Sequence, residues 1–238
     1  MRRDARRRAG ATLWAVAKPR PGRFPKESKR YREARDKLLV AEAKLLRQVE
    51  RVAALRRELP RGGKVGDYAL TELVDGQPRT VALSQLFEEG KDTLFLYSYM
   101  YGPKAEHPCP MCTSFLDGLE AQVEHIAQRI SVAVVAQSPI ERLAAFASGR
   151  GWKRLRLVSA AGTSYQADYF GEDAEGRQQP MANVFVRKDG VIRHFWGSEL
   201  LWSRGKGDPR HIDLLWPLWN VLDLTPGGRG EFYPKLSY

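Results

Sequence analysis

The only two cysteines of the chain stand two positions apart, as Cys109-Pro110-Met111-Cys112. Their flanks restrict where they can sit. Thr93 to Tyr99 (TLFLYSY) is dense in β-branched and aromatic residues and predicts a buried strand. Thr113 to Ile130 carries Phe115, Leu116, Leu119, Val123, Ile126 and Ile130 at helical spacing and predicts one helix. The pair therefore falls where a strand ends and a helix begins. There Cys109 faces unpaired backbone N–H groups and the positive end of the helix dipole. Both favour thiolate over thiol, and the thiolate is the reactive species. Pro110 suits the first helical turn, because its missing N–H has no partner there in any case. Cys112, one turn deeper, is expected to keep an ordinary thiol.

Three regions follow from the rest of the sequence. Residues 1–25 hold Pro19, Pro21 and Pro25 among many charges and read as a basic, disordered tail. Residues 26–63 form a helical extension. Ser28 caps a helix over 27–58, with Leu38, Leu39, Leu45, Leu46, Val49, Val52 and Leu55 as its apolar stripe, and Leu59-Pro60 ends it. Residues 64–238 form the main domain. A hairpin over 68–73 and 79–83 turns at Asp75-Gly76, and a short helix starts at Ser84. The uncharged Ser131 to Ala136 predicts a strand buried on both faces. A helix over 139–148 closed by Gly149, a strand over 155–158 and a short helix over 165–170 come next. A hairpin over 184–196 turns at Asp189-Gly190, and a final apolar helix over 214–222 bends at Pro217. This order predicts an α/β domain, a mixed sheet flanked by helices.

The net charge of +11 is a property of the tail. Residues 1–35 hold 13 Lys and Arg against 3 Asp and Glu, leaving 26 against 25 for the remainder. The tail reads as a solvated extension rather than a nucleic-acid-binding arm, since aromatic residues do not interleave the basic run in the way a base-stacking platform needs. No apolar run approaches the roughly 18 residues of a membrane span. Ala9 to Ala17 resembles a signal peptide only weakly, as Lys18, Pro19 and Arg20 follow at once. The expected compartment is the cytoplasm.

Several segments together carry a resemblance. They are Tyr99-Met100-Tyr101-Gly102-Pro103 before the C-P-M-C, then Val158-Ser159-Ala160, Asp168-Tyr169-Phe170-Gly171, the stretch Val184 to Gly190, and Asp223 to Gly230. From about residue 30 to its end the chain resembles a bacterial family of uncharacterised thioredoxin-like proteins, described as predicted dithiol–disulfide oxidoreductases. The resemblance implies a thioredoxin-like fold and redox chemistry, without a substrate. Two departures from the wider thioredoxin pattern stand out. Pro108 replaces an aromatic residue before the first cysteine. The proline nearest to the expected cis-proline is Pro180, about two residues further upstream than the pattern requires.

The redox reading makes Cys109 the attacking thiolate and Cys112 the thiol that resolves the mixed disulfide. Met111 tunes the pair. His107 is either a cation beside Cys109 or an exposed loop histidine. The substrate is a protein or small-molecule disulfide, and no cofactor is implied, for Gly205-Lys206-Gly207 lacks the phosphate-loop pattern. Two other classes stay open: a metal site using His107, Cys109 and Cys112, and a non-catalytic interaction scaffold. A structural zinc site needs four ligands, and His125, His194 and His211 show no ligand spacing. Trp196, Trp202, Trp216 and Trp219 read as core or subunit contacts. The long apolar stripe of the first helix predicts a homodimer.

Overall fold

The computed structural model describes residues 22–203 and 207–238. The basic tail lies outside them except for its last four residues, as does most of the Gly205 loop. The chain divides between Pro60 and Arg61 into two compact units.

The described residues of the first unit hold one helix, α1 (Lys29–Arg57). Ser28 caps it, its Oγ accepting from the Tyr31 N–H at 3.1 Å. Arg56 and Arg57 occupy the last turn, where the helix dipole favours cations. No side chain of α1 is buried.

The second unit is built on a seven-stranded sheet. Its strands are β1 (Ala69–Val74), β2 (Gln77–Ala82), β3 (Thr93–Ser98), β4 (Ser131–Ala136), β5 (Arg156–Ser159), β6 (Met181–Lys188) and β7 (Val191–Gly197). The order across the sheet is β2-β1-β5-β4-β3-β6-β7. β3, β4 and β5 run parallel, while β6 pairs antiparallel with β3 and β7 with β6. Four helices connect or follow them: α2 (Pro110–Glu120), α3 (Val123–Ile126), α4 (Ile140–Arg150) and α5 (Tyr165–Asp168), with α6 (Pro217–Leu222) near the end. The unit β3-α2-β4 followed by β6-β7-α6 gives a thioredoxin-like sheet, extended by the β1–β2 hairpin. Both Asp-Gly turns carry positive φ at both residues (51° and 75°, 53° and 74°), the conformation a tight hairpin requires.

Two cores flank the sheet. On one face Tyr97, Phe115, Leu116, Leu143 and Trp216 pack with Cys112. On the other, Leu70, Leu83, Leu96, Tyr165 and Phe185 do so. All six residues of β4 are buried, as its lack of charge requires.

Several boundaries differ from the sequence expectation. The helix over 113–130 is two pieces, because Glu120 ends α2 by reaching across to another segment. Its buried carboxylate accepts the N–H groups of Lys153, Arg154 and Leu155 at 2.8 to 3.2 Å. The segment at Ser84 is a 3-10 turn, Leu83–Leu86. Gly149 lies within α4; Gly151, with φ 81°, closes it instead. Pro217 starts α6 rather than bending a longer helix, after a separate 3-10 turn over Asp213–Leu215. β6 begins at Met181, three residues before the expected Val184, and its register with β7 shifts between Val184 and Phe185, where Phe195 of β7 is the extra residue. Pro180 therefore immediately precedes the strand, as a thioredoxin-like pattern asks. Its peptide bond is trans, as are all others among the described residues.

Candidate redox site

β3 delivers the chain to the site and α2 carries it away. Beyond β3, the Tyr99 N–H donates to Val135 O at 2.8 Å and continues the pairing with β4. The chain loops out and is recaptured where the Cys109 N–H donates to Met100 O at 3.0 Å. Cys109 is the N-cap of α2, with φ −60° and ψ 121°, and Pro110 occupies the first turn. The Thr113 N–H and Thr113 Oγ1 both donate to Cys109 O, at 3.0 and 2.9 Å. Thr113 Oγ1 also lies 2.6 Å from the buried Tyr99 hydroxyl. The first cysteine is thus fixed by backbone on both sides. Cys109 is half-buried, Cys112 is buried, and neither forms a disulfide. The two approach to 3.6 Å.

The electrostatics separate the pair. Cys109 is lowered from its ordinary 9.0 to about 6, first by hydrogen bonding from the Cys112 side chain. Partial burial opposes this, while the backbone N–H groups of Cys112 and Met111 and the Tyr233 hydroxyl add to it. Cys112 is pushed well up, first by its burial and then by the hydrogen bond and negative charge of Cys109. The Tyr97 hydroxyl and the Met100 N–H counter that rise by donating to the Cys112 sulfur. The site thus lowers the pKa of the first thiol and raises that of the second.

The remaining expected residues are placed as follows. Met111 is partly buried against the core around Cys112. His107 lies in the exposed loop with its Nε2 3.8 Å from Glu106 Oε1. Pro180 is half-buried at the start of β6. Among the described residues no group of three or more His, Cys, Asp or Glu is placed to hold a metal ion, so His107, Cys109 and Cys112 do not make one. Trp216 and Trp219 are core residues, whereas Trp202 is partly exposed against Phe170.

Three participants left no signal in the sequence. Tyr97 reaches Cys112 only because alternation along β3 turns it to that face. Arg142 of α4 holds the loop before Cys109 through the carbonyls of Pro103, Ala105 and Glu106, and lies over the Tyr101 ring at 4.7 Å. Tyr233 comes from the C-terminal segment. That segment is tied down by Arg150, which donates to Leu236 O at 2.5 Å while paired with Asp117, and by Phe232 against Trp219.

A cavity of about 700 Å³ opens beside Cys109. Its walls include Met100, Lys104, His107, Gln137 and the 172–178 loop. Gly102 permits this loop to close in, since a Cβ there would stand 3.2 Å from Gln178 Cγ.

The family model described as "Bacterial protein of unknown function (DUF899)" matches residues 22–237, and the chain belongs to that family. No curated protein matches the sequence. Among solved structures, the chain is similar to Plasmodium yoelii thioredoxin peroxidase I, at 17% identity over 75% of this chain and 98% of that one, TM-score 0.44. It is similar to reduced Prx3 of Vibrio vulnificus in complex with hydrogen peroxide, at 14% identity over 66% and 99%, TM-score 0.43. It is also similar to the exposed lipoprotein thioredoxin Etrx1 of Streptococcus pneumoniae, at 15% identity over 54% and 87%, TM-score 0.38. Among the described residues no helix is long and apolar enough to cross a membrane.

Proposed function

We propose that this member of the family is a thiol–disulfide oxidoreductase that uses Cys109 as nucleophile and Cys112 as resolving thiol. The observation that carries the reading is the placement of two free cysteines 3.6 Å apart, one half-buried at a helix N-cap and one buried a turn deeper. The Cys109 thiolate attacks one sulfur of a substrate disulfide, that S–S bond breaks, and a substrate thiolate leaves. Cys109 is then in a mixed disulfide and its negative charge is gone. That charge is one of the causes holding Cys112 protonated. Its loss lets Cys112 release its proton, with Tyr97 and the Met100 N–H donating to the new thiolate. Cys112 attacks the Cys109 sulfur, the second substrate thiolate leaves, and an intramolecular disulfide forms. Two electrons have passed to the substrate, and an external dithiol regenerates the pair by the reverse exchange.

This reading assigns the protein to a reducing compartment, the cytoplasm, where a free dithiol persists. It includes a homodimer through α1, on which Leu38, Leu45, Leu46 and Leu55 are all exposed. Disulfide reduction followed under a dithiol reductant tests the function. Wild type turns over, Cys109→Ser does not, and equal negligible rates in both would rule out the oxidoreductase in favour of a scaffold.

A further inference from the structure

The walls of the cavity beside Cys109 carry charges of both signs. Glu172 is held by its Oε2 alone, which accepts from Gln137 Nε2 at 3.3 Å and from Gln178 Nε2 at 3.0 Å. Its other oxygen, Oε1, accepts no hydrogen bond among the described residues and is left to meet a cation. Lys104 is exposed and has no ion pair among the described residues. Arg177 stands at the same wall but is engaged by Asp173 and Glu175.

The loop presenting Glu172 is ordered from within. Asp173 accepts the backbone N–H of Glu175 and of Arg177, at 3.1 and 2.8 Å, together with Gln179 Nε2 at 3.0 Å. Opposite it, Arg142 fixes the carbonyls flanking Lys104. Two segments thus hold one uncommitted carboxylate oxygen and one uncommitted ammonium around the nucleophilic sulfur. About 700 Å³ lies in the range of small-molecule sites, on the order of 300–1,000 Å³.

We infer that the cavity binds a low-molecular-weight disulfide whose arms each carry both an ammonium and a carboxylate, an amino-acid-type disulfide, with Glu172 receiving the ammonium and Lys104 the carboxylate. This assignment rests on the thiol chemistry proposed for Cys109. Atoms and electrons balance as before: the Cys109–sulfur bond forms as the substrate S–S bond breaks. One amino-acid thiol leaves at each of the two exchanges, and the dithiol is oxidised by two electrons.

Four disulfides of similar size separate the charges. They are cystine (both charges), cystamine (ammonium only), 3,3′-dithiodipropionate (carboxylate only) and 2-hydroxyethyl disulfide (neutral). Each is mixed with the reduced full-length protein at neutral pH, and the second-order rate of dithiol oxidation is measured. Dividing by the rate of the same disulfide with a free small thiolate removes the leaving thiol's own contribution. Cystine is expected to lead the neutral disulfide by about tenfold or more, with the singly charged compounds between them. Lys104→Ala should lower the ratio of dithiodipropionate to neutral disulfide, and Glu172→Gln that of cystamine to neutral. Equal corrected rates for all four would overturn the inference and leave the thiol chemistry standing. So would a disulfide-bonded protein such as insulin oxidising the dithiol faster than any of the four. No oxidation by any disulfide would overturn both the inference and the redox reading beneath it.

Discussion

Replacing Cys112 with alanine removes the group that does most to hold the Cys109 thiolate. Cys109 falls from 9.0 to about 6, a difference of three units. The Cys112 side chain is the largest contributor. The N–H groups of Met111 and Cys112 survive the substitution, and so does Tyr233. The half-point for Cys109 is therefore expected to rise by about one to two units in Cys112→Ala, which lowers the thiolate fraction at neutral pH roughly two- to tenfold. Tyr233→Phe removes a smaller contributor and moves the half-point less. Iodoacetamide labelling of the reduced protein across a pH series, read by mass spectrometry, gives these half-points directly. The thiolate is better accommodated in the folded than in the unfolded chain. Its stabilisation is therefore complete above the unfolded value of 9.0 and disappears as pH falls through about 6. The melting-temperature gap between reduced wild type and Cys109→Ser should accordingly widen as pH rises across that window. A wild-type half-point near the ordinary thiol value would refute this reasoning. So would an unchanged half-point in Cys112→Ala, or faster labelling of Cys112 than Cys109.

Glu120→Ala strips three backbone N–H groups of a buried carboxylate acceptor and should cost about 2–4 kcal/mol, or roughly 5–15 °C in melting temperature by calorimetry. Gly171→Ala sets a methyl group against the buried Gln166 Oε1 and within 2.8 Å of Ser98 Oγ. It should cost about 1–3 kcal/mol in urea unfolding, whereas no loss would show that the loop yields freely. Light scattering on the full-length protein should give a dimer, and a chain beginning at Lys64 a monomer. A full-length monomer at micromolar concentration would dispose of α1 as the interface.

The parts of the fold legible in the sequence are those decided by neighbours in the chain. Asp75-Gly76 and Asp189-Gly190 announce their hairpins because few other residues accept positive φ at both positions. Ser131 to Ala136 announces a central strand because it has no polar residue to show to water beyond its terminal serine. The strand, C-P-M-C and helix locate the two sulfurs before any coordinates are needed. What escaped was decided across space. Glu120 ends α2 for the sake of backbone groups 33 to 35 residues away, while the apolar spacing runs on unbroken into α3. Gly149 and Gly151 carry the same local signal, and α4 runs through the first to close on the second. β6 begins three residues earlier than its apolar pattern suggests, and that longer strand is what made Pro180 look misplaced. Tyr233 reaches the site through contacts of Phe232 and Leu236 that no local pattern encodes.

The most direct test of the central claim is the fate of each sulfur after one encounter with a disulfide. Reduced wild type, Cys112→Ser and Cys109→Ser are each given one equivalent of 2-hydroxyethyl disulfide and analysed by peptide mass mapping. Wild type should lose two hydrogens and yield a peptide linked between Cys109 and Cys112. Cys112→Ser should instead accumulate a mixed disulfide on Cys109, and Cys109→Ser should remain unmodified. A stable adduct on Cys112, or the same unresolved adduct in wild type and Cys112→Ser, would contradict the account.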